Sequence, residues 1–281
     1  MKAAKRQSVF LKSIVYVSAG VTITTVVGIL IYILIKGVSH LSWDLFAFKY
    51  TSENVSLFPA LVNTVTMTAV ALIIAAPMGI FSGIYLVEYA NRDSKAVKLI
   101  RLTTETLSGI PSIVFGLFGY LLFVSSASGF GWGYSMLAGA FSLAIMILPV
   151  IMRSTEEALK SVPDTFREGS FGLGAGKLRT VFRIVLPAAM PGILAGIILS
   201  IGRIVGETAV LIYTSGTVAH IPKNLMGSGR TLAVHLYALW SEGMNTESAY
   251  ATAVILVVTV SLLNALSAYL AKKFTKGKLN G

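Results

Sequence analysis

Six stretches of this 281-residue chain stay apolar for as long as a helix needs to cross a lipid bilayer: 13–35, 57–87, 106–124, 134–152, 191–213 and 249–270. A helix rising about 1.5 Å per residue spans the hydrocarbon layer with about 20 residues. None of the six alternates with the two-residue period of a barrel strand. Only 12% of the residues are charged against 55% hydrophobic, too few charges to clothe a soluble domain of this size. The expected fold is therefore all-α: a polytopic integral membrane protein with six transmembrane helices. A short segment, 1–12, would precede a membrane domain over 13–281.

The stretch MKAAKR precedes the first run as it would in a secretory leader. That run is too long for a leader and no small-residue cleavage site follows Ile35, so it is expected to be a retained helix. Cysteine is absent, which excludes disulfides and thiolate metal sites. His40, His220 and His235 are scattered, and none stands at metal-ligand spacing from a carboxylate. No metal or cofactor is expected in the chain itself.

Basic residues set the orientation. Of 23 lysines and arginines, 18 fall in the segments 2–12, 92–101, 153–183 and 272–278. The alternate connections hold only Lys36, Lys49, Lys223 and Arg230, and Arg203 lies inside a run. Positive charge favours the cytoplasmic side, so both termini are expected there. The net charge of +11 is then a topology signal. No nucleic-acid-binding pattern accompanies it, and no nucleic-acid partner is expected.

Two connections are long. The one at 214–248 contains TLAVHLYALW, in which Leu232, Leu236, Leu239 and Trp240 share a helical face. Such a helix lies at a membrane interface, and a cover for helix ends and a docking surface explain it equally well.

The connection at 153–189 carries more information. Pro163 with Asp164 beside it starts a short helix, from which Phe166 and Phe171 project. Gly172, Gly174 and Gly176 then end it. The basic segment KLRTVFRIVL is expected to stop at Pro187, with Pro191 opening the next span. The glycines running into Lys177 invite a phosphate-loop reading, which fails on its details. Leu178 stands where a serine or threonine is needed, Phe171 occupies the place of the first glycine, and no strand precedes. A short helix with exposed apolar residues suits the groove of a partner. A helix resting on lipid explains the basic residues as well.

Glu168-Gly169-Ser170, three residues, Gly174, nine residues, then Ile184-Val185-Leu186-Pro187 resembles the EAA loop of prokaryotic ABC-importer permeases. Gly169 and Ser170 stand in place of the two alanines. The resemblance implies a type I permease fold and a helix that docks on a cytosolic ATPase and transmits its closure. It assigns Phe166, Glu168, Gly169, Ser170, Phe171, Gly174, Ile184, Leu186 and Pro187 to that coupling. GIPSIVFGLFGY (109–120), LPVIMRSTEEALKSVP (148–163) and RIVGETAVLIYTSG (203–216) look like the phosphate-specific permeases, nearer the A-type subunit than its C-type partner. That likeness implies a second homologous permease subunit, two cytosolic ATP-binding subunits carrying ATP and Mg, and an extracytoplasmic phosphate-binding protein. It also implies a prokaryotic cell membrane and a non-catalytic role.

Arg203 and Glu207 are spaced i, i+4 within the fifth run. An arginine at the bilayer centre costs about 2.5–3.5 kcal/mol on insertion scales and is by default functional. In one continuous helix the two side chains would meet. A guanidinium fork matches phosphate oxygens, Glu207 would hold it, and Thr208 would add a hydroxyl to the path. A buried pair that only fixes packing is the plainer reading. Asn63, Thr64, Thr66, Thr68 and Asn264 are expected to bond between helices.

The expected function is thus the membrane half of an ATP-driven phosphate importer. A sulfate or molybdate importer is the nearest alternative, and a secondary transporter without an ATPase the next.

Overall fold

A computed structural model of the chain describes residues 2–279 apart from Arg92, Gly129 and Met244. Arg92, one of the orientation-setting basic residues, therefore lies outside the described residues, as do the side chains of Lys2, Lys5, Arg6, Lys273, Lys276 and Lys278. The elements are helical throughout the described residues. They are α1 (Lys2–Val38), α2 (Phe58–Ile84), α3 (Lys95–Ser108), α4 (Ser112–Gly119), α5 (Met136–Lys160), α6 (Asp164–Gly172), α7 (Lys177–Thr180), α8 (Leu186–Val205), α9 (Ala209–Thr214), α10 (Leu232–Glu242) and α11 (Thr246–Leu279).

Five segments are long and apolar enough to cross a membrane: Phe10–Val38, Phe58–Tyr89, Met136–Lys160, Lys177–Val205 and Thr246–Tyr269. The third expected span, 106–124, takes a different form. Its first residues end α3, and the chain then bends by 104° before Ser112–Val124. Pro111, with ψ 140°, stands at the bend. A proline offers no N–H and pushes its predecessor out of helical geometry. Counting the bent pair as one span brings the total to six.

The helix before the fifth span does not stop at Pro187 as expected. It runs on from Lys177 to Val205 through a wide turn at Val181–Val185. There the Leu186 N–H bonds to the Val181 carbonyl, five residues back. The extra residue in that ring makes room ahead of a proline that would clash with a regular turn. The far end of the span is broken instead, with Gly206, Glu207 and Thr208 separating α8 from α9.

The core is a stack of α2, α5 and the α8–α9 pair. Met67, Ala71 and Ala75 of α2 meet Leu143, Met146, Ile147 and Ile151 of α5, with Val210 and Leu211 of α9 behind. Lipid is as apolar as leucine, so such helices associate by close packing rather than by escape from water. Gly79 and Gly83 supply the closeness. A Cβ on Gly79 would lie 2.7 Å from Ile151 Cγ2, and one on Gly83 2.7 Å from Thr155 Cβ. A second cluster joins Ile84, Leu159, Val162, Val181, Val185 and Ile193 where α2, α5 and α8 converge on the 153–189 connection. Helix α1 stands outside this core and leans on α11 through Gly37 and Tyr32. From Phe10 to Tyr32 its residues are exposed.

Candidate coupling and anion sites

Helix α6 projects from the second cluster and buries none of its own side chains. Pro163 precedes it and Asp164 occupies its first turn, favourable chemistry for a helix start. Gly174, at φ +79°, closes it, while the Ala175 N–H returns to the Ser170 carbonyl at 3.1 Å. A side chain with a Cβ resists that left-handed backbone. Phe166 is 50% exposed and Phe171 46%, and Leu173, just past the helix end, is 91% exposed, so one short helix and its cap display three large apolar groups. Glu168 is exposed beside them. Downstream, Leu178, Arg179, Phe182, Arg183 and Ile184 line an open cleft of about 730 Å³. Leu186 and Pro187 are half-buried where α8 begins.

The two departures from the alanines of the EAA pattern have separate explanations. At Gly169 an added Cβ would meet nothing within 4 Å, so the position tolerates either residue. Ser170 uses its hydroxyl, which lies 2.8 Å from that of Thr180.

Arg167 was not singled out by its sequence, yet it has more polar contacts than any other side chain of α6. Its Nη2 donates to Glu88 Oε1 at 2.6 Å and to the Leu159 carbonyl at 3.0 Å. Its Nε donates to the same carboxylate at 3.2 Å, and its Nη1 to the Val162 carbonyl at 2.9 Å and to Asp164 Oδ1 at 3.1 Å. The hydrogen bonds that Arg167 donates to Glu88 raise its pKa above the ordinary value, burial opposes the rise, and the charges of Glu88 and Asp164 add to it. Glu88 sits on a wide turn, Tyr85–Tyr89, at the end of α2. The two residues are 79 apart in sequence, so no local spacing could have announced the pair.

The candidate anion residues are arranged differently from expectation. Arg203 lies in the last turn of α8, and Glu207 and Thr208 lie in the break beyond it. Among the described residues Arg203 and Glu207 form no ion pair. Glu207 Oε1 instead accepts from the Val210 N–H at 3.2 Å, capping the start of α9. The helix that would have aligned the two side chains ends between them, and the carboxylate satisfies a free amide at the new helix start. All three residues are half-buried. Thr208 lines an apolar cavity of about 360 Å³ with Ile33, Tyr237, Trp240 and Tyr250.

Other polar residues of the spans sort by partner. Asn63 Nδ2 donates to the carbonyls of His220 and Arg230, and Thr64 accepts from the Leu232 N–H at 2.9 Å. These two tether the 214–248 connection. Thr66 and Thr68 bond back to their own helix. Asn264 Oδ1 is buried without a hydrogen-bond partner among the described residues. Near the other end of the core, Glu156 bridges Arg101 at 3.5 Å and Lys160 at 2.8 Å, within a cavity of about 210 Å³ that Arg153 also lines.

Residues 75–276 match the family model described as binding-protein-dependent transport system inner membrane component. The chain belongs to that family. This binding-protein-dependent permease is 33% identical over 276 residues to the probable ABC transporter permease protein YqgI of Bacillus subtilis (strain 168), covering 92% of each chain. It is 36% identical over 241 residues to the phosphate transport system permease protein PstA of Pasteurella multocida (strain Pm70), covering 84% of each. A solved bacterial alginate ABC transporter, in complex with a pentasaccharide-bound periplasmic protein, shares the fold. The TM-score is 0.67 at 17% identity, over 93% of this chain and 96% of that one. The protein is an ABC transporter permease, a multi-pass membrane protein.

Proposed function

We propose that this permease is the membrane subunit of an ATP-driven phosphate importer, forming half of the anion path and docking a cytosolic ATPase. The observation that carries the reading is α6, a helix with no buried side chain that offers Phe166 and Phe171 to a partner. An exposed apolar helix face of this kind is suited to a groove. Glu168, Gly169, Ser170 and Gly174 complete the docking face, and Ile184, Leu186 and Pro187 carry it into α8. Relatives named as phosphate transport permeases support phosphate as the cargo.

Arg203, which has no carboxylate partner among the described residues, is the side chain offered to the anion. Moving a negative charge inward against the membrane potential costs about 2.3 kcal/mol per 100 mV, which hydrolysis on the partner supplies. In this reading the termini and α6 face the cytoplasm of a prokaryotic cell. A second homologous permease completes the path, and an extracytoplasmic binding protein delivers phosphate. ATP and Mg belong to the two ATPase subunits, and this chain is non-catalytic.

The test is uptake of labelled phosphate in cells lacking the chain, complemented with wild type or Arg203→Gln, with sulfate and molybdate as competitors. Wild type restores uptake that neither competitor abolishes, and Arg203→Gln reaches the membrane but does not transport. Uptake indifferent to the chain would end the phosphate assignment.

A further inference from the structure

We propose that Glu88 and Arg167 form the joint through which a docked ATPase's movement of α6 reaches the transmembrane helix α2. This rests on the docking role proposed for α6 and adds the residues that pass the motion on.

Force applied to α6 needs a route into the membrane bundle. Apolar packing does not provide one, because no apolar side chain of α6 is buried against a neighbour. Among the described residues two polar links remain besides the chain itself. One is the Ser170–Thr180 hydroxyl pair, which ties α6 to α7 and so to the base of α8. The other is Arg167. Its guanidinium holds the Glu88 carboxylate through Nε and Nη2, and the Leu159 and Val162 carbonyls through Nη2 and Nη1. The Leu159 carbonyl belongs to the last turn of α5, which stops at Lys160, and Val162 lies just past that end, where a cation is favoured. A single side chain therefore ties α6 to the ends of both α2 and α5.

The pair is built to hold while it moves. The Glu88 side chain is 7% exposed and that of Arg167 15%, so pulling them apart would strand two charges away from water. The two nitrogens on one carboxylate fix angle as well as distance. The carboxylate is presented by the wide turn Tyr85–Tyr89, closed by the Ala90 N–H on the Tyr85 carbonyl. On that same turn the Tyr89 ring receives the Lys177 ammonium at 5.1 Å, so the end of α2 is held from both sides of the α6 loop. Helix α2 in turn packs along α5 through Gly79 and Gly83, which carries a displacement of its end into the core.

The experiment uses the assembled transporter in liposomes. ATP hydrolysis, phosphate uptake and ATPase recovery are measured for wild type, Glu88→Gln and Arg167→Lys. Glu88→Gln keeps the shape of the side chain and removes its charge. Arg167→Lys keeps a charge and removes the fork. In both variants the ATPase is recovered as in wild type and hydrolyses ATP at a similar rate, because the Phe166 and Phe171 face is untouched. Phosphate moved per ATP falls by about tenfold, within the range that coupling between sites commands. An unchanged ratio in either variant overturns the proposal. Loss of ATPase recovery also overturns it, because the pair would then shape the docking face rather than transmit from it. A wild-type chain that recovers no ATPase removes the docking role itself, a result distinct from both.

Discussion

The hydroxyl of Ser170 lies 2.8 Å from that of Thr180, across the turn that Gly174 closes. Side chains so placed bring their Cβ atoms within reach of a disulfide. The chain has no cysteine of its own, so Ser170→Cys with Thr180→Cys introduces the only thiol pair. Mild oxidation is expected to join them, and the measurement is thiol labelling before and after. Labelling that persists after oxidation would show that α6 does not sit against α7 as described.

Two glycines should respond oppositely to alanine. Gly79→Ala places a Cβ 2.7 Å from Ile151 Cγ2 and 2.9 Å from its Cβ, atoms that cannot swing aside. The expected cost is about 1–3 kcal/mol, as for other overpacked cores. Gly169→Ala enters open space within a helix and should gain up to about 1 kcal/mol. Thermal unfolding in detergent separates the two.

Arg203 and Glu207 should behave as independent residues in a stability measurement. Glu207→Ala removes the cap on α9 and is expected to cost about 0.5–2 kcal/mol, while Arg203→Gln leaves stability nearly unchanged. The double variant should equal the sum of the singles to within about 0.5 kcal/mol. A larger coupling energy would mean that the two side chains do pair.

His235 predicts a pH dependence. It is fully buried in α10 with its ring edge-on to Tyr50, whose face also takes the Arg230 guanidinium at 4.7 Å. Burial, and after it the charge of Arg230, pushes its pKa from 6.5 down to about 3. Between those values the unfolded chain binds a proton that the folded chain refuses. Stability is therefore full above 6.5 and falls as the pH drops toward 3, by at most about 1.4 kcal/mol per unit from this residue. Unfolding of the solubilised protein from about pH 7 to 4 measures the slope, and His235→Phe should flatten it.

The membrane architecture was legible because bilayer thickness writes itself into the sequence as run length. What interrupts a run was harder to see. Gly206-Glu207-Thr208 and Gly109-Ile110-Pro111 sit inside continuous apolar stretches, and a hydropathy average passes over both. The break at 206–208 then undid the expected Arg203–Glu207 pair, since the i, i+4 argument held only while one helix carried both. Conversely, Pro187 looked like a stop and was absorbed by a wide turn, whose existence depends on packing around Val181 and Val185. The short helix α6 was legible from Pro163 and the glycines. Its anchor was not, because the partner of Arg167 lies on another span. Asn63 and Thr64 were rightly read as bonding groups, but their partners are loop carbonyls and amides rather than another span.

A helix attached by polar links alone has one more property. Since no apolar side chain of α6 is buried, its exposed residues can be exchanged without repacking any interior. Substitutions at Phe166, Glu168 or Phe171 leave Met67, Leu143 and Ile147 where they are. If α6 docks an ATPase as proposed, that surface is free to drift over evolutionary time in step with its partner. The membrane bundle meanwhile answers to a separate set of constraints, set by the close packing of α2 on α5.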